Sequence, residues 1–313
     1  MTMNFNFGQE KVKTNSEKPI SILDSLENQL KLTRILGNVY ENRPDMKKFI
    51  GSMKGTKYES EYTKEAISRD EEYVENTRKA IEKENSSFGE ARFNYLEGGF
   101  QLSEILQAMI VDRMNNNWYK DCKSIMTADF DDLNPETNID GLLKHNKNGY
   151  MGMSFDFTVS NKKEVIDEKL KKEWFNVKKG KIPVVKYFED PDTKEKGNLL
   201  VPKFIIGASK TDVEELATAY LKNDKEALDN HPLKYLILLQ IEEQLQTILD
   251  FYEVNSYGET LKSARLQYER IEKILRIMRN DIHLDTNMNV DLHEYSKKSV
   301  TLDRIRNFRI NKK

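Results

Sequence analysis

At 313 residues, with 38% hydrophobic and 33% charged side chains, the chain has enough apolar material for one large core or two modest ones, and its balance excludes a disordered composition. A formal net charge of -2 excludes a protein that coats nucleic acid over its whole surface and leaves only local basic patches for that purpose. One cysteine, Cys122, excludes an intramolecular disulfide and a thiolate zinc site; no apolar run approaches the roughly 18 residues of a membrane span, so the expectation is a cytoplasmic protein with no membrane partner.

Residues 1–18 are polar and read as a flexible arm. In the region 19–100, Ile22, Leu26, Leu30, Ile35 and Leu36 keep helical spacing, and a charged run from about Lys57 to Glu84 reads as a long solvated helix. Glu75 and Lys79 stand four apart in that run, and Tyr62, Ile67, Tyr73 and Ile81 give it a thin apolar face. Residues 101–222 form an α/β (α+β) core. Leu102, Ile105, Leu106, Met109, Ile110 and Met114 predict a helix that closes at Asn115 to Asn117. Leu142 and Leu143, an Asn-Lys-Asn-Gly turn, and the alternating Met151, Met153, Phe155, Phe157 and Val159 predict a β-hairpin. A helix over Lys162 to Asn176, strands over Ile182–Phe188 and Leu199–Ile206, and a helix over Thr211–Leu221 follow, so helices flank a central sheet.

Residues 223–285 predict a helical hairpin, in which Ala264, Tyr268, Ile271, Leu275, Met278 and Ile282 keep coiled-coil spacing. The seam suits packing within the chain or a homodimer through the hairpin. Residues 286–313 read as a basic tail able to meet phosphates or simply to be solvated.

The chemistry concentrates in carboxylates. A divalent cation needs hard oxygen ligands converging from different elements, with positions left open for substrate and water. Glu104 lies on the first core helix, Asp140 at the start of the hairpin and Asp156 within its second strand, where it shares parity with Ser154 and Thr158. On periodicity alone Asp156 equally suits the solvated face of a strand. Asp129, Asp131 and Asp132 precede the hairpin in an acidic loop. A Mg2+ or Mn2+ ion held by Glu104, Asp140 and Asp156 would polarise a phosphate and lower the pKa of a bound water, the requirements of phosphodiester hydrolysis. No phosphate-binding glycine loop, serine elbow or histidine pair with ligand spacing competes with this set.

With its anchors SEILQAM, WYKDCKSIMTADFDDLNPETNIDGLL, FDFTVS, VVKYF and HPLKYLILLQIEEQL, the stretch from about Ser103 to Gln244 resembles the PD-(D/E)XK nuclease superfamily. It is also similar to a group of uncharacterised bacterial proteins with that expected core. The resemblance covers somewhat under half the chain and rests on a short, degenerate motif. It implies a restriction-endonuclease-like mixed sheet flanked by helices, with helical N- and C-terminal extensions. It further implies a supporting metal ligand at Glu104, the motif aspartate at Asp140, the second acid at Asp156, and nucleic acid, DNA by expectation, as substrate. The pattern departs at Thr158, which stands where the superfamily has lysine. Lys169 and Lys186 are the lysines that could supply the missing charge, each with a solvent-facing role as its alternative. The expected function is a metal-dependent nuclease; the alternative is a catalytically inactive nuclease-like module that binds nucleic acid or protein.

Overall fold

The structure, a computed structural model, describes residues 58–87, 95–96, 100–145, 152–159, 163–190, 192–255, 257–283 and 292–308, with 35, 38 and 39 as isolated positions. The expected arm, most of the helix expected after Ser21 and the Asn-Lys-Asn-Gly turn lie outside the described residues.

Helix α1 (Lys64–Ser87) is followed by the two-residue strands β1 (Tyr95–Leu96) and β2 (Phe100–Gln101), and then by α2 (Leu102–Arg113). A kink in the backbone at Asn116 and Asn117 ends that helical stretch, with φ of 140° at Asn117. Strand β3 (Cys122–Met126), the short α3 (Asp129–Leu133), β4 (Gly141–His145) and β5 (Gly152–Val159) come next. They lead into α4 (Lys163–Lys178), the strands β6 (Val184–Glu189) and β7 (Lys196–Leu200), and β8 (Lys203–Ala208). The C-terminal half is helical: α5 (Lys210–Lys222), α6 (Lys225–Asp229), α7 (Leu233–Asn255), α8 (Glu259–His283), α9 (Leu292–Lys297) and α10 (Val300–Asn307).

The central sheet has the order β3-β4-β5-β8. β3, β4 and β5 form an antiparallel meander, and β8 lies parallel to β5, with α4 within the crossover that parallel pairing requires. The mixed sheet agrees with the expected class. Three details differ from the sequence reading. β3 is an additional strand, because Cys122, Ser124 and their neighbours show too little alternation to signal one. The acidic loop turns into α3. The two strands expected after α4 resolve into three: Ile182–Phe188 becomes β6, and Leu199–Ile206 is divided between β7, which pairs with β6 in a separate antiparallel ladder, and β8, which joins the central sheet.

One face of the central sheet carries Phe155, Phe157, Phe204 and Ile206 into the main core, where α2, α5, α7 and α8 bury residues such as Ile105, Met109, Val213, Ile241 and Tyr268. The opposite face is covered by two separate elements. The β6/β7 ladder packs Val185 and Phe188 against Leu142, and α4 packs Ile166 and Leu170 against Ile205 together with Ile305 of α10. The acids meet on this second face.

Helix α7 and helix α8 form the expected hairpin: Ala264, Tyr268, Ile271, Leu275 and Met278 are all buried within the chain, and Arg279 reaches Glu242 at 3.5 Å. Much of the segment read as a basic tail is ordered against the core, because Leu302 and Ile305 give α10 an apolar stripe that the many charges obscured. Among the described residues no helix is long and apolar enough to cross a membrane.

Candidate functional site

Asp140 immediately precedes β4, where the backbone still follows the ladder: its N–H donates to the Phe155 carbonyl at 2.8 Å, and its own carbonyl accepts from Thr127 at 3.2 Å. Gly141 pairs with Phe155, so the same register sets Asp140 opposite Asp156. Residues directly opposite on one face have Cβ atoms roughly 5 Å apart. The period of two then places Asp140, Asp156, Ser154 and Thr158 on the second face, with Lys203 beside Ser154 and Ile205 beside Asp156 on the parallel strand β8. The solvated-strand alternative for Asp156 does not hold, since α4 covers it and leaves it 3% exposed; Asp140 is 4% exposed.

Each acid has a defined partner. The Asp140 carboxylate accepts from the Phe157 N–H at 2.5 Å, taking over the ladder bond that β4 can no longer supply. Burial first, then the charges of Asp132 and Asp156, push the Asp140 carboxyl well above the usual range, and Lys169 opposes that shift. Asp132, near the end of α3, is hydrogen-bonded to Asp140; burial, with the charges of Asp129 and Asp156, raises it above the usual range, and the Asp140 bond and Arg78 oppose the rise. Burial and mutual repulsion thus raise both carboxyls, and the hydrogen bond between them adds to the rise at Asp140. At the rim, Arg78 of α1 pairs with Asp129 at 3.2 Å. The charged run around α1 is accordingly not a purely solvated face, since Tyr58 and Ile67 pack with Tyr187.

The two expected lysines go to different places. The Lys169 ammonium forms an ion pair with Asp156, because residue 169 sits on the edge of the α4 face that buries Ile166 and Leu170. The Lys186 ammonium instead bonds Asp70 of α1 at 2.5 Å, ringed by Tyr62, Phe130 and Tyr187 with centroids 5.1, 5.2 and 5.3 Å away. Lys186 joins α1 to β6 and does not contact Asp140 or Asp156 in any ion pair of the described residues. Glu104 lies in the first turn of α2, with its side chain outside the described ones.

Two further residues belong to this network and were not singled out by sequence. Glu173, one turn beyond Lys169, pairs with Lys203 at 3.2 Å, and the Lys203 ammonium donates to the Thr137 carbonyl at 2.7 Å in the loop that delivers Asp140. Lys203 is only 2% exposed. A lysine at the start of a strand and a glutamate in a lysine-rich helix carry no local signal; only the parallel pairing of β5 with β8 brings them together.

Inside the rim, the carboxyls of Asp132, Asp140, Asp156 and Glu173 outnumber the ammonium groups of Lys169 and Lys203. Among the described residues no group of three or more His, Cys, Asp or Glu side chains is arranged as a metal-ligating set. Asp140 is turned to Phe157 and Asp132, and Asp156 to Lys169. The donor chemistry nevertheless fits a hard divalent cation: the ligands are carboxyl oxygens, and acids outnumber the lysines beside them. Comparison with protein-family models, with curated proteins and with solved structures returns no match.

Proposed function

We propose that the chain is a metal-dependent nuclease, a phosphodiester hydrolase acting on nucleic acid with DNA as the expected substrate. The observation that carries this reading is the facing pair Asp140 and Asp156, buried on adjacent strands, short of positive charge and in contact with Lys169. The order helix, antiparallel meander, helix and parallel strand supports a restriction-endonuclease-like core around it.

Asp140, Asp156 and Glu104 are the residues that would hold Mg2+ or Mn2+, which when bound polarises a phosphate and supplies hydroxide at neutral pH. The side chains have their own tasks. Lys169 carries the positive charge that Thr158 cannot, placed to offset charge developing on the phosphate oxygens. Asp132 adds a further carboxylate beside Asp140, which strengthens the negative field a cation would meet. The pair Glu173 and Lys203 fixes α4 and the Asp140 loop relative to each other.

Cleavage of circular and linear DNA is the test, run with Mg2+, Mn2+ or EDTA beside an Asp140→Ala, Asp156→Ala double variant. Metal-dependent cutting lost in the variant is the expected result. A second reading, a catalytically inactive nuclease-like module that binds nucleic acid or protein, is favoured by the Thr158 substitution together with the direct bond between Lys169 and Asp156. Retained DNA binding with no cutting under any condition would select it.

A further inference from the structure

The exposed face of α4 holds a feature that the acid site does not use. Lys171, Lys172, Phe175, Lys178, Lys179 and Lys181 are all exposed, and no exposed acid interrupts them between 171 and 181, because the helix's glutamate in that span, Glu173, is buried against Lys203. Phe175 is 57% exposed, with the Lys179 ammonium 3.8 Å from its ring centroid. An aromatic ring kept in water and flanked by cations costs apolar hydration, and in return it offers a planar face beside positive charge.

We propose that this face of α4 is a docking platform for single-stranded nucleic acid, with Phe175 stacking on an unpaired base and the lysines meeting the phosphates. The assignment rests on the nuclease reading and extends it to a substrate class. Three observations favour it. The spacing 171, 175 and 178 keeps one face of α4 over eight residues, about 10 Å, the length over which one strand of a B-form helix carries about three phosphates, and Lys179 follows just past the helix end. Phe175 is a lone ring: it can stack on a base, but it gives far too little apolar area to anchor in a lipid surface. The platform also continues into the site, because the Lys172 ammonium bonds the Pro135 carbonyl in the loop leading to Asp140, and Lys169 lies one turn before it on the same helix.

The experiment measures binding of the full chain to a fluorescent oligothymidylate and to a duplex of equal length, in EDTA, across a salt series. Phe175→Ala should weaken oligothymidylate binding about 5- to 150-fold, the range for one lost stacking contact, and leave duplex binding nearly unchanged. Lys178→Gln with Lys179→Gln should reduce the salt slope by about 1.4, two phosphate contacts on a single strand. Thermal midpoints within a degree of the parent confirm that the exposed substitutions leave the fold intact. Unchanged oligothymidylate affinity in both variants overturns the platform, as does capture by phosphatidylserine vesicles without oligonucleotide binding. Because binding is read in EDTA, a protein that binds through Phe175 and never cuts overturns only the nuclease reading. One that cuts but ignores Phe175→Ala overturns only the platform.

Discussion

Gln244 completes the backbone hydrogen bonding of Ile205: its amide nitrogen donates to the Ile205 carbonyl at 2.9 Å and its amide oxygen accepts from the Ile205 N–H at 3.0 Å. Gln240 does the same for Gly207, donating at 2.9 Å and accepting at 2.8 Å. Four residues of helix rise about 6 Å and two residues of strand about 6.7 Å, so carboxamides at i and i+4 on α7 match the outward-facing groups of edge strand β8. At the opposite edge, Asn115 exchanges two bonds of 2.8 Å with Ser124 of β3. Side-chain amides thus occupy backbone groups on both edges, which blunts the template for pairing with another sheet. Replacing Gln244 by Leu strands a buried donor and acceptor and should cost about 2–5 kcal/mol. Chemical denaturation checks it, and a loss below about 0.5 kcal/mol would mean water takes over both bonds.

Gly207 is fixed by a close approach. A Cβ there would lie 1.8 Å from the Thr301 hydroxyl and 2.6 Å from its Cβ, so α10 packs directly on the glycine. Gly207→Ala should destabilise by several kcal/mol. Thr301→Ala should restore only part of that, because its Cβ remains, and Thr301→Gly should restore more. Equal thermal midpoints for the two double variants would contradict the stated contact.

The two lysines make opposite predictions. Lys169→Met removes the charge beside Asp156 and should lower cleavage by about 100- to 1,000-fold, the usual effect of losing one transition-state charge or donor. Lys186→Met should leave cleavage within a few-fold and instead loosen α1 from β6, because its ammonium belongs to Asp70 and an aromatic ring. Steady-state rates and urea midpoints for both variants separate the roles; the reverse pattern would return Lys186 to the site.

Acid stability should reflect His231. Burial lowers its pKa from 6.5 to about 4, with Asp212 opposing, and its Nδ1 accepts from the Leu233 N–H at 3.2 Å near the start of α7. The folded chain holds the ring neutral while the unfolded chain protonates it. The stabilising effect is therefore present above 6.5 and is lost as the pH falls toward 4, by up to roughly 3 kcal/mol. His231→Asn keeps an acceptor and should flatten this limb of the stability curve, measured by urea unfolding between pH 4 and 7. An unaltered slope would place the titration elsewhere.

The hairpin seam tests assembly. Ile271 and Leu275 are 1% and 3% exposed within one chain, so Ile271→Glu should unfold the hairpin, lowering the thermal midpoint, rather than release folded monomers from a homodimer. Mass and circular dichroism measured together distinguish the outcomes. A folded species of halved mass would assign the seam to a dimer.

The sequence by itself determined the parts whose signals are local. The periods of α2, α4, α7 and α8, the alternation of β5, and the parity that puts Asp156 with Ser154 and Thr158 follow from side-chain spacing, as does the concentration of acids around the hairpin. Tertiary structure decided the rest, because the deciding contacts join residues distant along the chain. Parallel pairing of β5 with β8 brought Lys203 to Glu173. Coverage by α4 buried Asp156 and gave it Lys169. Docking of β6 on α1 carried Lys186 to Asp70, away from the acids. Ion pairs and edge-bonding amides have no period, so their partners emerge only when packing has fixed which surfaces meet.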